Sequence, residues 1–138
     1  YYAPEIDAFM EGRDSNGVWR GAFIERMDYA YAAADVVVSR SGAGTVSELS
    51  LVGKPVIFVP SPNVSEDHQT KNGMALVGKG AAMMVRDDDA AVKGLETVEQ
   101  LLADAGRCGE FTSRIKALGI ADSADRIVDE ILKVIEKQ

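Results

Sequence analysis

One cysteine, one histidine and one tryptophan stand in 138 residues, and each scarcity removes a class of protein. A lone Cys108 cannot form an intrachain disulfide, so a disulfide-stapled secreted scaffold is excluded and a reducing cytosol suits the chain. With one cysteine and the single His68, no Cys–His set for zinc can assemble, and no metal site and no cofactor are expected. Positive charge is short as well: 15 Lys and Arg face 22 Asp and Glu, for a net charge of −7. Such a chain has no general affinity for phosphate backbones or anionic bilayers, so no nucleic-acid partner is expected. No apolar run approaches the roughly 20 residues of a membrane-spanning helix. No signal-peptide pattern opens the chain, and Tyr1-Tyr-Ala-Pro4, with no methionine, reads as a fragment boundary. Repeats, low-complexity tracts and linkers are missing too. What remains is 46% hydrophobic and 27% charged residues, an ordinary globular composition with enough length for one domain and its core.

The stretch that organises the chain runs from Ala34 to Glu48. Val36, Val37 and Val38 are contiguous and β-branched, which predicts a short strand over 36–39 buried on both faces. Ser39 to Gly44 are small residues with Arg40 among them, and two glycines let the backbone turn sharply and a ligand approach it. From Thr45 a helix to about residue 52 is expected, turning Val46, Leu49 and Val52 inward. A strand, a small-residue turn and a helix N-terminus together make an anion and phosphate site, because the first helical N–H groups have no internal partner. Glu48, one turn into that helix, is a carboxylate able to accept two sugar hydroxyl protons. The pattern points to a nucleotide-sugar.

The same periodicities order the rest of the chain. A short helix is expected over 4–10, a turn over 14–17, a strand over 18–23 and a helix over 24–31 packed through Met27 and Tyr31. Gly53-Lys-Pro55 stops the helix that began at 45, and Val56 to Val59 forms another buried strand closed by Pro60. A loop over 61–66 leads to a helix over 67–77, ended by Gly78 and Gly80. A fourth strand is expected over 81–85. Asp87-Asp-Asp89 reads as the cap of a helix over 90–103. Helices follow over 108–118 and 123–137, the last with Ile127, Ile131, Val134 and Ile135 in an amphipathic stripe. Strands alternating with helices predict an α/β fold, a parallel sheet flanked by helices. In such sheets ligands bind beyond the C-terminal strand ends, so the loops 39–45 and 60–69 should face one cleft.

Three motifs then carry a family resemblance. Ala34-Asp-Val-Val-Val-Ser-Arg-Ser-Gly-Ala-Gly-Thr-Val-Ser-Glu48, Gly53-Lys-Pro-Val-Ile-Phe-Val-Pro60 and His68-Gln-Thr-Lys-Asn72, with Phe23-Ile24 ahead of them, resemble the C-terminal half of the MurG family of bacterial N-acetylglucosaminyltransferases. The resemblance is close from about 24 to 82 and looser beyond. It implies a Rossmann-like domain, the donor-binding half of a GT-B glycosyltransferase, whose acceptor domain lies outside residues 1–138. The implied partners are UDP-N-acetylglucosamine and, through that other domain, a lipid-linked muramyl-pentapeptide acceptor, with inversion at the anomeric carbon. The implied place of work is the cytoplasmic face of the inner membrane.

By the same resemblance, Ile24 offers its backbone to the uracil edge. Ser41 and Gly42 belong to the binding turn. Ala43, Gly44, Thr45, Val46, Ser47 and Glu48 line the nucleotide, with backbone N–H groups on the diphosphate and Glu48 on the ribose hydroxyls. Gln69 holds hydroxyls of the transferred sugar, with His68 and Asn72 beside it. No catalytic base is expected among these residues, since the family's candidate lies in the other domain. Gly44 stands where many relatives carry a larger apolar residue, and the loop 61–66 looks longer than in some of them.

Plainer readings compete at several positions. Gly42-x-Gly44 is short of a dinucleotide fingerprint, because Ser47 stands where the third glycine belongs. Arg40 is better read as a structural ion-pair partner, with Asp35 as its candidate, than as a catalytic group. His68 suits a solvated or capping role, and Met83-Met84 suits strand core. A nucleotide-sensing or protein-interaction domain of the same fold, without chemistry, is the alternative function, since fold alone does not decide it.

Overall fold

Runs of β-branched and aromatic residues become two strands of the sheet, and a pair of methionines becomes the third. In the computed structural model, which describes residues 3–12 and 17–136, β1 is Val37–Ser39, β2 is Val56–Phe58 and β3 is Met83–Met84. The three lie parallel in the order β1-β2-β3, with Val37 opposite Val56 and Ile57 opposite Met83. Parallel neighbours need long crossovers. Here these are α3 (Ala43–Val52) between β1 and β2, and α4 (His68–Val77) between β2 and β3. Helices α5 (Asp87–Leu102), α6 (Ala105–Lys116) and α7 (Ser123–Ile135) follow. The expected α/β architecture is therefore present.

Burial explains the order of the layers. All of β2 is buried, as a central parallel strand should be. Ile57, Val59 and Val85 pack with Leu101 of α5 and Phe111 of α6 in one cluster. Leu49 of α3 and Ile115 of α6 are also fully buried. Cys108 touches this core and its thiol donates to the Leu101 carbonyl at 3.1 Å, and burial pushes that thiol up from its usual range. The β1 edge departs from expectation: Val38 is 52% exposed, so one face of the strand is open rather than covered. A run of three valines marks a strand but cannot say whether both faces find neighbours.

Several boundaries move, each for a local reason. Helix α3 starts at Ala43, two residues early, because Gly42 already holds the extended N-cap conformation. Its end is as expected, at Gly53 with a left-handed φ of 70°. Helix α4 starts at His68, after a 3-10 turn, Ser65–Asp67, in which Glu66 and Asp67 take left-handed φ values of 56° and 54°. Helix α5 starts at Asp87, so the three aspartates form its first turn and do not precede it; there they oppose the positive end of the helix dipole. Helix α6 starts at Ala105, capped by Asp104, which accepts from the Arg107 N–H at 2.9 Å. The strands 56–59 and 81–85 shorten to Val56–Phe58 and Met83–Met84, although Val59 and Val85 still bond back to Ser39 and Phe58. Met83 and Met84 are half-buried, and the stripe of α7 is exposed along its length. Lys137 lies outside the described residues.

The described residues divide into two compact units, one up to Ala33 and one from Ala34 onward. In the first unit α1 is Ala3–Met10 and α2 is Met27–Ala33. Helix α2 begins after Arg26, whose guanidinium pairs with Asp28 at 2.6 Å and lies over the Tyr29 ring. Met27 and Tyr31 are half-buried. The strand expected over 18–23 is not formed: Val18, Trp19 and Phe23 are exposed, and no described strand pairs with this segment. Residues 14–16 of the expected turn lie outside the described residues.

Candidate functional site

The turn between β1 and α3 consists of Arg40, Ser41 and Gly42 alone. Gly42 holds φ −61° and ψ 152°, and its carbonyl accepts the Val46 N–H at 2.9 Å. A Ser or Asp here would bond the first helical amides with its side chain. Glycine has none, and no side chain caps α3. The first-turn amides of Ala43, Gly44 and Thr45 are thus left for an outside acceptor. Ala43 and Gly44 are exposed, and nothing stands within 4 Å of where a Cβ of Gly44 would be. Glu48 lies one turn on from Gly44, on the same helix face, and is also exposed. Ser47 turns its hydroxyl back onto the Ala43 carbonyl at 3.1 Å. Val46 is half-buried and, with Glu48, Leu76, Lys79 and Leu118, lines a groove of 310 Å³ along α3.

Ser41 is fully buried, and its three polar groups are all engaged inside the protein. Its N–H donates to Gln69 Oε1 at 3.3 Å, its hydroxyl donates to the Gln69 carbonyl at 2.8 Å, and its own carbonyl accepts from Asn72 Nδ2 at 3.1 Å. Gln69 Oε1 also accepts the Ser61 N–H at 2.9 Å. The structure therefore brings Ser41, Gln69 and Asn72 together, and with them the two loops that the sequence places at one cleft. Gln69 and Asn72 are half-buried. His68 is exposed, with Nε2 3.6 Å from a Glu66 carboxylate oxygen. Ile24 belongs to the first unit, in irregular chain ahead of α2, and is half-buried there.

Arg40 is structural, but its partner is Asp87 and not Asp35. The same Nη1 donates to the carbonyls of Val59 at 3.0 Å and Pro60 at 3.2 Å. One guanidinium so joins the ends of β1 and β2 to the first turn of α5. Nothing local in the sequence announces this contact across 47 positions. An arginine one residue beyond a strand end, where loop carbonyls run out of ladder partners, is the available signal. A cavity of 240 Å³ lies beside it, lined by Pro60, Ser61, Asp67, Thr70, Arg86, Asp87 and others, and no residue from Gly42 to Glu48 borders it. Among the described residues no three His, Cys, Asp or Glu side chains are grouped to hold a metal ion.

An open helix N-terminus favours an anion, and a carboxylate one turn along can accept hydroxyl protons. Residues 13–127 match the family described as the glycosyltransferase family 28 C-terminal domain. The chain belongs to this family. A UDP-N-acetylglucosamine--N-acetylmuramyl-(pentapeptide) pyrophosphoryl-undecaprenol N-acetylglucosamine transferase of Parabacteroides distasonis is 49% identical over 138 residues, all of this chain and 38% of that protein. The transferase of the same name from Flavobacterium psychrophilum is 50% identical over 117 residues, 85% of this chain and 32% of that one. The crystal structure of MurG from Acinetobacter baumannii superposes with a TM-score of 0.80 at 27% identity, over 94% of this chain and 38% of that one. The chain thus spans about a third of the length of these relatives, 32–38%, and the resemblance to the MurG family is borne out.

Proposed function

We propose that this chain is the donor-binding half of an inverting glycosyltransferase and holds UDP-N-acetylglucosamine. The observation that carries the reading is the uncapped N-terminus of α3, with Glu48 one turn away on the same face. Anions favour such a terminus because the amides are unpaired and the helix dipole is positive there. In this reading the amides from Ala43 to Thr45 take the diphosphate, Glu48 takes the ribose hydroxyls, and Gln69 and Asn72 meet the sugar. Ser41, buried and fully engaged, supports the turn and does not touch the ligand. His68 flanks the sugar side.

In the complete enzyme, N-acetylglucosamine passes with inversion to a lipid-linked muramyl-pentapeptide, as the names of the relatives suggest. The acceptor is held by a domain outside residues 1–138, at the cytoplasmic face of the inner membrane. Among the described residues no helix is long and apolar enough to cross a membrane. Isothermal titration of the complete protein with UDP, UDP-N-acetylglucosamine and UDP-glucose tests the reading. Tightest binding of UDP-N-acetylglucosamine is expected. Absence of binding by all three would favour the non-catalytic interaction domain.

A further inference from the structure

Loops that leave a sheet must find partners for backbone groups that the ladder no longer serves. Two side chains do this here, one as donor and one as acceptor. Arg40 gathers the carbonyls of Val59 and Pro60, and Gln69 Oε1 gathers the N–H groups of Ser41 and Ser61. The orientation of the Gln69 amide follows from chemistry. Both neighbours are donors, so the oxygen must face them, since the amide turned round would set its NH₂ against two N–H groups. That leaves Nε2 for other company, and Nε2 can only donate. Asn72 is engaged in the complementary way, with Nδ2 on the Ser41 carbonyl and Oδ1 left as an acceptor.

We infer that Gln69 is a positioning residue, whose amide oxygen fixes the 40–42 turn against the 59–61 loop and so sets the α3 N-terminus for the nucleotide. The inference deepens the donor-site reading and rests on it for the ligand. It makes Gln69 matter for UDP itself, although UDP carries no sugar for Nε2 to meet. A residue that only read the sugar would leave UDP binding alone.

The test uses Gln69→Ala and Gln69→Glu in the full-length protein, with titrations of UDP and UDP-N-acetylglucosamine. Hydrogen exchange of segments 40–42 and 60–62, the second read at Ser61, its one amide between two prolines, is followed without ligand. Gln69→Ala should weaken UDP about tenfold, the factor that accompanies loss of one or two hydrogen bonds, and both segments should exchange faster. Gln69→Glu keeps an acceptor for both N–H groups but has no amide donor. It should keep both segments protected and lose the preference for the sugar nucleotide over UDP. Wild-type UDP affinity together with unchanged exchange in Gln69→Ala would overturn the inference. Failure of wild type to bind UDP would sink the donor reading alone, and exchange would then decide the clamp. If Gln69→Ala does not fold, Ser41→Ala serves instead. Its buried hydroxyl meets only Gln69, so UDP and UDP-N-acetylglucosamine should weaken by one common factor, and unequal factors would overturn the inference.

Discussion

Glu48 and Arg40 illustrate how differently two charged residues of one motif are used. Glu48 is exposed, and no side-chain hydrogen bond or ion pair to it is found among the described residues. Its removal should therefore cost the fold little. If it accepts the ribose hydroxyls, Glu48→Ala in the complete enzyme should weaken the donor by about 1.5–3 kcal/mol, the range for hydrogen bonds to a charged group. Titration beside a melting curve checks this: an unchanged Kd at unchanged Tm would leave Glu48 an ordinary helix residue. Arg40 sits eight positions earlier and faces inward to three acceptors. Its structural role was legible from the sequence, and its partner was not, because Asp87 reaches it only through the sheet. The tie made by Gln69 was equally hidden. Hydrogen bonds across 28 positions leave no periodicity to detect, and an amide in a loop motif looks the same whether it faces ligand or backbone.

At the scale of elements, the second unit was largely legible because its signals are chemical. Contiguous Val and Ile mark β1 and β2, and Gly53 stops α3 with a positive φ, whereas the Asp104 cap that starts α6 at Ala105 was passed over. The misjudged start of α3 matters most for function, since beginning at Ala43 moves the free amides onto the glycine turn itself. The false strand at 18–23 shows the limit of local propensity, for a strand needs a neighbour as well as suitable residues. Packing between elements gives a prediction at Gly119, which follows α6. A Cβ there would stand 2.9 Å from the Ser50 carbonyl oxygen and 3.0 Å from Leu51 Cδ2, both on α3. Backbone cannot yield as a flexible side chain does. Gly119→Ala should destabilise the fold by about 1–3 kcal/mol, the usual cost of overpacking. Urea unfolding measures it, and an unchanged midpoint would show that α6 does not seat against α3 through this glycine.

For the whole molecule, what can be done depends on the two thirds of its relatives' length that the 138 residues do not span. Transfer requires donor and acceptor to be held in attack geometry together. The purified 138-residue chain should therefore give only background product with a lipid-linked acceptor, and clear turnover would mean that it holds both substrates. The most direct measurement of the central claim is a crystal structure of the complete protein with UDP-N-acetylglucosamine bound. The diphosphate is expected on the amides of Ala43, Gly44 and Thr45, with the ribose hydroxyls on Glu48. A diphosphate seated instead in the cavity bounded by Pro60, Asp67 and Arg86, away from the start of α3, would contradict it.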